Sequence, residues 1–183
     1  MKLAETPLAD VYRIVPDRHA DARGFFGRVY CQRTLDEWGL HSHYAQHSVS
    51  FNKQKGTLRG MHLQRSPHAE IKLVQCLHGG IFDVVVDVRP ESPNFGRWTG
   101  VELSAETGEI LYVPEGFAHG FVTLTDAATL HYCISVEFEP TAATGLRWDD
   151  PDVGIAWPLA PRIISERDRS LMSLKQLRAS VSA

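Results

Sequence analysis

Apolar and polar residues alternate along almost the whole chain in short runs rich in β-branched side chains. This pattern predicts strands at about 11–15, 25–31, 44–51, 57–63, 70–77, 81–88, 98–103, 110–113, 119–124 and 129–138. Turn-forming stretches separate them: HGG at 78–80, RPESPNFG at 89–96, AETG at 105–108 and TDAA at 125–128. Helical periodicity is scarce. TLDEWGL has Thr34 and Glu37 at capping-box spacing, and SERDRSLMSLKQL from Ser165 gives a second helical segment over about 165–178. The terminal RASVSA reads as frayed. Short strands at such regular spacing predict a mainly β fold, an antiparallel sandwich or barrel of the jelly-roll kind that curls two sheets over one core.

Composition narrows the picture. A chain of 183 residues, 43% hydrophobic and 22% charged, suits one globular domain over 1–183. With 19 basic against 22 acidic residues the net charge is -3, so no overall positive field attracts nucleic acid or an anionic membrane. An anionic ligand must then be held by local arginines and lysines. Cys31, Cys76 and Cys133 are odd in number, widely spaced and form no CxxC pair, so they read as small core residues of a reducing compartment. MKLAETPLADVYRIV carries charges and a proline where a secretory apolar region would lie, and no apolar run approaches the roughly 20 residues that span a bilayer. The expectation is a soluble, cytoplasmic protein.

Several residues sit oddly in this β pattern. In GTLRGMHLQ (56–64), strict alternation puts Leu58, Gly60, His62 and Gln64 on one face and Arg59, Met61 and Leu63 on the other. For Arg59 and His62 to face one cavity the alternation must break, and Gly60 is the natural place for a bulge. EIKLVQCL sets Lys72 among apolar neighbours, where an ammonium is costly unless it meets an anion or a wet cavity. LHYCISVEF puts Leu130, Tyr132, Ile134, Val136 and Phe138 on one face, so Tyr132 points inward and its hydroxyl needs a partner. Singly these are a hydrogen-bonded core histidine, a snorkelling lysine and a core aromatic. Gathered in one small barrel, Arg, His, Lys and Tyr make a costly core and a sensible site for an anionic substrate.

GEILYVPEGFAH (108–119) matches the second cupin motif, G-x5-P-x-G-x2-H, with Gly108, Pro114, Gly116 and His119 in place. A strand, a tight Pro/Gly turn and a return strand would aim His119 into the barrel. The closing Asn of that motif falls on Thr123. The first motif offers His62, His68 and Glu70 without an HxH pair, so a closed metal shell is hard to assemble, and neither metal nor other cofactor is expected.

DARGFFGRVY (21–30), GTLRGMHLQ (56–64), KLVQCLHGGIFDVVVDVRPESPNFGRW (72–98), LYVPEGFAHGF (111–121), RWDDPDVGIAWP (147–158) and SERD (165–168) resemble, in order, the dTDP-4-dehydrorhamnose 3,5-epimerase family, the RmlC-like cupins. The resemblance runs from about Asp21 to Asp168. It implies a metal-free jelly-roll homodimer whose N-terminal strands, about 1–32, are exchanged with the partner. Its substrate would be a nucleoside-diphosphate 4-keto-6-deoxy sugar on the way to a deoxysugar such as dTDP-rhamnose and to polysaccharide. By the same resemblance His62 is the base, Asp168 orients it, Lys72 stabilises an enolate oxygen, and Tyr132 is the acid on the other face of the ring. Arg23 and Arg59 correspond to phosphate-side arginines. Phe26, Gln46, Ser48, His119, Phe138 and Arg167 correspond to further substrate contacts.

Three positions depart from the family pattern. Arg28 replaces a glutamate that contacts thymine, Ala143 stands where a second base-side glutamate is expected after Pro140, and Phe138 replaces a tyrosine near the base. Lost acceptors leave dTDP, CDP, GDP and UDP all open as the nucleotide, and the lost hydroxyl leaves open inversion at C3, C5 or both. The alternatives are a sugar-nucleotide 3,4-ketoisomerase, against which RGMH and SERD argue, a non-catalytic cupin, and a metal-dependent cupin.

Overall fold

The alternating runs become thirteen strands in the computed structural model, which describes residues 1–181. In chain order these are β1 (Lys2–Glu5), β2 (Tyr12–Val15), β3 (Arg18–Asp21), β4 (Gly24–Gly27), β5 (Gln46–Asn52), β6 (Leu58–Gln64), β7 (Lys72–His78), β8 (Gly80–Asp87), β9 (Trp98–Ser104), β10 (Ile110–Val113), β11 (Phe117–Thr123), β12 (Ala128–Ile134) and β13 (Ala143–Gly145). Three short helices join them: α1 (Gln32–Glu37), α2 (Glu166–Arg169) and α3 (Leu174–Val181). The fold is mainly β, as the sequence predicts. One sheet runs β1-β2-β10-β7-β12-β5, the other β13-β6-β11-β8-β9, and β3 with β4 forms a separate hairpin. All these pairings are antiparallel.

Period-two alternation decides what each strand turns inward. From β7, β10 and β12 come Val74, Cys76, Leu111 and Leu130; from β8, β9 and β11 come Ile81, Val85, Leu103, Phe117 and Phe121. These meet as the core between the sheets. The outer face of the second sheet carries Met61, Val84, Val86 and Ala118, which α3 covers with Leu174 and Leu177. Leu35 of α1 is buried against Leu73, Ile110 and Cys133 on the outer face of the first sheet.

The differences from the predicted elements have local causes. The strand expected at 25–31 is β4, which ends at Gly27, while β1, β3 and β13 are too short to announce themselves by alternation. The run expected to reach 138 stops at Ile134, and the Phe138 N–H donates to the Gln46 side-chain oxygen at 2.8 Å. Phe138 thereby reaches the Tyr132 cavity from a loop rather than from the strand. The Thr34–Glu37 capping box does not form: α1 starts from an extended Cys31 without a side-chain cap, and Thr34 lies inside the helix. Starting one turn earlier is what turns Leu35 inward. Beyond Ser165 the chain makes two helices, and Ser173 and Gln176 supply a capping box for α3, with the Gln176 N–H donating to Ser173 Oγ at 3.3 Å and the Ser173 N–H to Gln176 Oε1 at 2.9 Å. Residues 178–181, expected to fray, continue α3; residues 182–183 lie outside the described residues.

The bulge expected at Gly60 is present. Along β11 and β6 the partners pass from His119↔His62 to Phe121↔Arg59, so β6 carries one extra residue there. Gly60 has φ +138°, and a Cβ on it would lie 2.5 Å from the Gly120 Cα. Gly60→Ala is therefore expected to cost about 3 kcal/mol or more, combining backbone strain with a backbone clash. Gly24→Ala, also at positive φ but with nothing within 4 Å, meets only the strain, about 1–2 kcal/mol. Urea unfolding of the two variants checks this, and equal costs would refute the close approach.

Candidate active site

The bulge turns Arg59 and His62 to the same side. With Lys72 of β7, His119 of β11 and Tyr132 of β12 they line a cavity of about 290 Å³. Its imidazoles come from one sheet and its ammonium and phenol from the other.

His62 Nε2 lies 2.7 Å from Asp168 Oδ1. Asp168 is buried in the first turn of α2, where its N–H donates to the N-cap Ser165 Oγ at 3.1 Å, while its Oδ2 accepts the Gly60 N–H at 3.3 Å. Burial pushes the Asp168 carboxyl up, but the bond from His62, the His62 charge and the Gly60 N–H outweigh it and hold the group below its ordinary value. A carboxylate at Nε2 places the neutral ring's proton there and leaves Nδ1 with the lone pair.

Lys72 is buried, and the anion its sequence context demands is Glu70, 2.8 Å away; Lys72 Nζ also donates to the His62 carbonyl at 3.4 Å. Tyr132 stands edge-on to His119, ring centroids 6.1 Å apart. Burial first, then the Asp83 charge, pushes the Tyr132 phenol well above its ordinary value, with Arg59 opposing. Among the described residues its hydroxyl has no protein partner, contrary to the expectation that it needs one: it is not sealed within the core and a molecule in the cavity can reach it.

His119 does point into the barrel, where its Nε2 meets Asp83 Oδ1 at 2.7 Å. Sequence reading missed Asp83. The signal was an acid on the inward row of IFDVVVDV, between Ile81 and Val85. Its Oδ2 is the one buried side-chain polar atom without a hydrogen bond among the described residues. Glu70, read only as an incomplete metal motif, and Gln64, which accepts the Glu139 N–H at 2.6 Å, were also missed as parts of this site. His68 lies outside the cavity.

Of the other expected contacts, Ser48, Phe138 and Arg167 line the cavity, as does Ala143. Gln46 does not; its side chain instead anchors the loop at Phe138. Arg59 Nε donates to Asn52 Oδ1 at 2.8 Å. Arg23, Phe26 and Arg28 are not brought to this chain's own cavity: Arg23 and Phe26 belong to the β3–β4 hairpin, Arg28 follows it, and all three are exposed, Phe26 by 75%. The reason is that β3 and β4 pair only with each other and join neither sheet.

An imidazole with a fixed tautomer, an ammonium, a phenol and arginines around one cavity suit proton abstraction beside a carbonyl of an anionic substrate. The family model described as dTDP-4-dehydrorhamnose 3,5-epimerase matches residues 5–176. The chain is 41% identical over 174 residues to the dTDP-4-dehydrorhamnose 3,5-epimerase of Sinorhizobium fredii, covering 94% of this chain and 89% of that one. The crystal structure of the enzyme of that name from Elizabethkingia anophelis superposes with a TM-score of 0.92 at 40% identity, covering 96% of this chain and 97% of that one. The dTDP-6-deoxy-D-glucose-3,5-epimerase RmlC of Legionella pneumophila, solved in complex with dTDP-4-keto-L-rhamnose, gives 0.92 at 35% identity, covering 98% and 96%.

The lowered Asp168 group has a consequence for stability. A depressed folded value contributes stability that is present above the unfolded carboxylate value of about 3.9 and is lost as pH falls through the folded one. Asp168→Asn is expected to lose about 2 kcal/mol at neutral pH. Its deficit against the unsubstituted chain should not narrow until pH falls below about 4. Denaturant unfolding across pH measures this, and a deficit that closes between neutrality and pH 5 would contradict it.

Proposed function

Because the chain belongs to the dTDP-4-dehydrorhamnose 3,5-epimerase family, we propose that it inverts ring carbon next to the C4 ketone of a nucleoside-diphosphate 4-keto-6-deoxy sugar, with His62 as base and Tyr132 as acid. Membership makes it an isomerase of the epimerase type. The observation that supports the residue roles best is the placement of the His62–Asp168 pair and Tyr132 on opposite sheets around one cavity.

The geometry supports the following chemistry. His62 takes the proton from the carbon beside the ketone through the nitrogen that Asp168 leaves free, and the electron pair moves onto the C4 oxygen. Lys72 meets that developing charge, and Glu70 at 2.8 Å sets how much of the ammonium's field the oxygen meets. Tyr132 then gives its proton to the other face of the same carbon and is recharged from solvent. Its raised value keeps it protonated until that step. Arg59 and Arg167 suit the diphosphate.

We assign the hairpin β3–β4, with Arg23, Phe26 and Arg28, to the cavity of a partner subunit in a homodimer. Phe25 and Phe26 are exposed on a hairpin that joins neither sheet, a costly arrangement for a lone chain. β1 and β2 are already paired in the chain's own sheet, so the exchanged part is the hairpin rather than all of residues 1–32. A dTDP-linked sugar is the first substrate to offer. A CDP-, GDP- or UDP-linked sugar, or inversion at C3 or C5 alone, is the second reading, favoured by Ala143 and Phe138 at the cavity and by Arg28. A cytoplasmic place in polysaccharide precursor synthesis fits this chemistry, and no described helix is long and apolar enough to cross a membrane.

Solvent deuterium exchange followed by NMR, on a panel of nucleotide-linked 4-keto-6-deoxy hexoses, tests both base and carbon. Exchange is expected at the carbon that inverts. His62→Ala should abolish it at every position, and Tyr132→Phe should lower product formation more than exchange. Retained exchange in His62→Ala would remove the imidazole from its role.

A further inference from the structure

The two faces of β12 carry different chemistry. Leu130, Tyr132 and Ile134 turn inward, while His131 and Cys133, two residues apart, turn to the outer face. On the neighbouring edge strand β5, His47 is the residue directly opposite Cys133. The sheet thus places two imidazoles and a thiol on one patch, with one ring nitrogen of His47, one of His131 and Cys133 Sγ all within 4.8 Å of one another. This is the one such grouping of His, Cys, Asp and Glu among the described residues.

We propose that His47, His131 and Cys133 bind a zinc-class divalent cation on the outer face of this sheet, apart from the catalytic cavity and independent of its chemistry. The spacing carries the argument. Zn–N bonds of about 2.05 Å and a Zn–S bond of about 2.3 Å at tetrahedral angles require N···N of about 3.3 Å and N···S of about 3.6 Å. His47 Nδ1 and His131 Nε2 are 3.2 Å apart, and Cys133 Sγ and His47 Nδ1 are 3.6 Å apart. Two edges of the coordination tetrahedron are therefore in place without movement of the backbone, because cross-strand and i, i+2 positions fix them. A metal-free hydrogen-bonded set, His47 with His131 and Cys133 with His47, has the same two separations, and the cobalt spectrum distinguishes it from metal binding.

The donor set selects the metal. Imidazole and thiolate suit zinc and similar borderline-soft ions, whereas magnesium and calcium prefer oxygen. Binding forms a sulfur–metal bond and releases the Cys133 proton to solvent, so no oxidant or reductant is needed. The three side chains also line a cavity of about 270 Å³ with Tyr30, Ser42 and Tyr44, which leaves room for a water as fourth ligand. The ion would tie the edge strand β5 to β12. A site made from HxC on one strand and a histidine on the next has no CxxC pair to announce it in the sequence.

The test uses untagged, chelator-stripped protein titrated with cobalt(II) as the stand-in for zinc. The expected result is one cobalt per chain, with a thiolate-to-cobalt charge-transfer band in the near ultraviolet and intense four-coordinate visible bands, both removed by added zinc. Cys133→Ser should lose the charge-transfer band. His47→Gln and His131→Gln should each weaken zinc by more than about tenfold, since even an outer-shell change costs that much. All three variants should keep deuterium exchange on the sugar substrate, which shows that they fold and separates this proposal from the catalytic one. Absence of the band in the unsubstituted protein would overturn the site, as would its survival in Cys133→Ser or equal zinc affinity in the histidine variants. The spectrum of the unsubstituted protein decides even where a variant fails to fold.

Discussion

The approach of Gly60 to Gly120 is the constraint on which the site rests. Neither position has room for a side chain: a Cβ on Gly120 would lie 2.7 Å from the Arg59 carbonyl oxygen, as one on Gly60 would strike the Gly120 backbone. Only at that closeness can β6 take one more residue than β11 and still keep its ladder on both sides of the bulge. The extra residue reverses the alternation, so Arg59 and His62 share a cavity that a regular strand would split between core and surface. The same irregularity frees the Gly60 N–H to meet Asp168. One backbone defect therefore brings Arg59 and His62 to the cavity and supplies part of what holds Asp168.

Charge in the cavity is arranged in pairs: His62 with Asp168, Lys72 with Glu70, His119 with Asp83. Each carboxylate gives a buried donor its partner, and each also fixes that side chain's direction. The two groups with resolved shifts move apart. Asp168 is pulled below its ordinary value by its hydrogen bonds and the imidazole charge, and Tyr132 is driven above its own by burial and by Asp83. Divergence of this kind is what a pair of acid and base roles would require. Asp83 acts on both sides, since it holds His119 and also raises Tyr132.

Sequence reading reached the site because the residues concerned violate a strong local rule. An arginine, a lysine and a tyrosine on inward strand positions stand out against Leu, Val and Ile, and a glycine between Arg59 and His62 marks where alternation breaks. Strand placement was legible for the same reason. What was hidden depends on contacts between distant segments. Glu70 looks like an ordinary loop acid until it lies against Lys72, and Asp83 becomes unusual only when its strand is known to be buried on both faces. The Thr34 cap failed because the packing of Leu35 outweighed a local capping preference. Arg23, Phe26 and Arg28 could be matched to a family pattern but not placed, since a hairpin paired only with itself carries no local record of where it docks.

Alternation also explains how one strand can serve two purposes without conflict. Tyr132 and its neighbours His131 and Cys133 are adjacent in sequence, yet the pleat sends them to opposite faces of the sheet, and the backbone between them is locked by β5 on one side and β7 on the other. β5 is the edge of its sheet, held by β12 alone, while its inner face presents Ser48 and Ser50 to the catalytic cavity. An edge strand that helps to shape a reaction cavity has to be kept in register, because a slip of one residue would exchange its inner and outer faces. A cross-strand contact between His47 and the β12 pair opposes that slip from the outside. The outer face thus helps to define the inner one, whichever atoms make the contact.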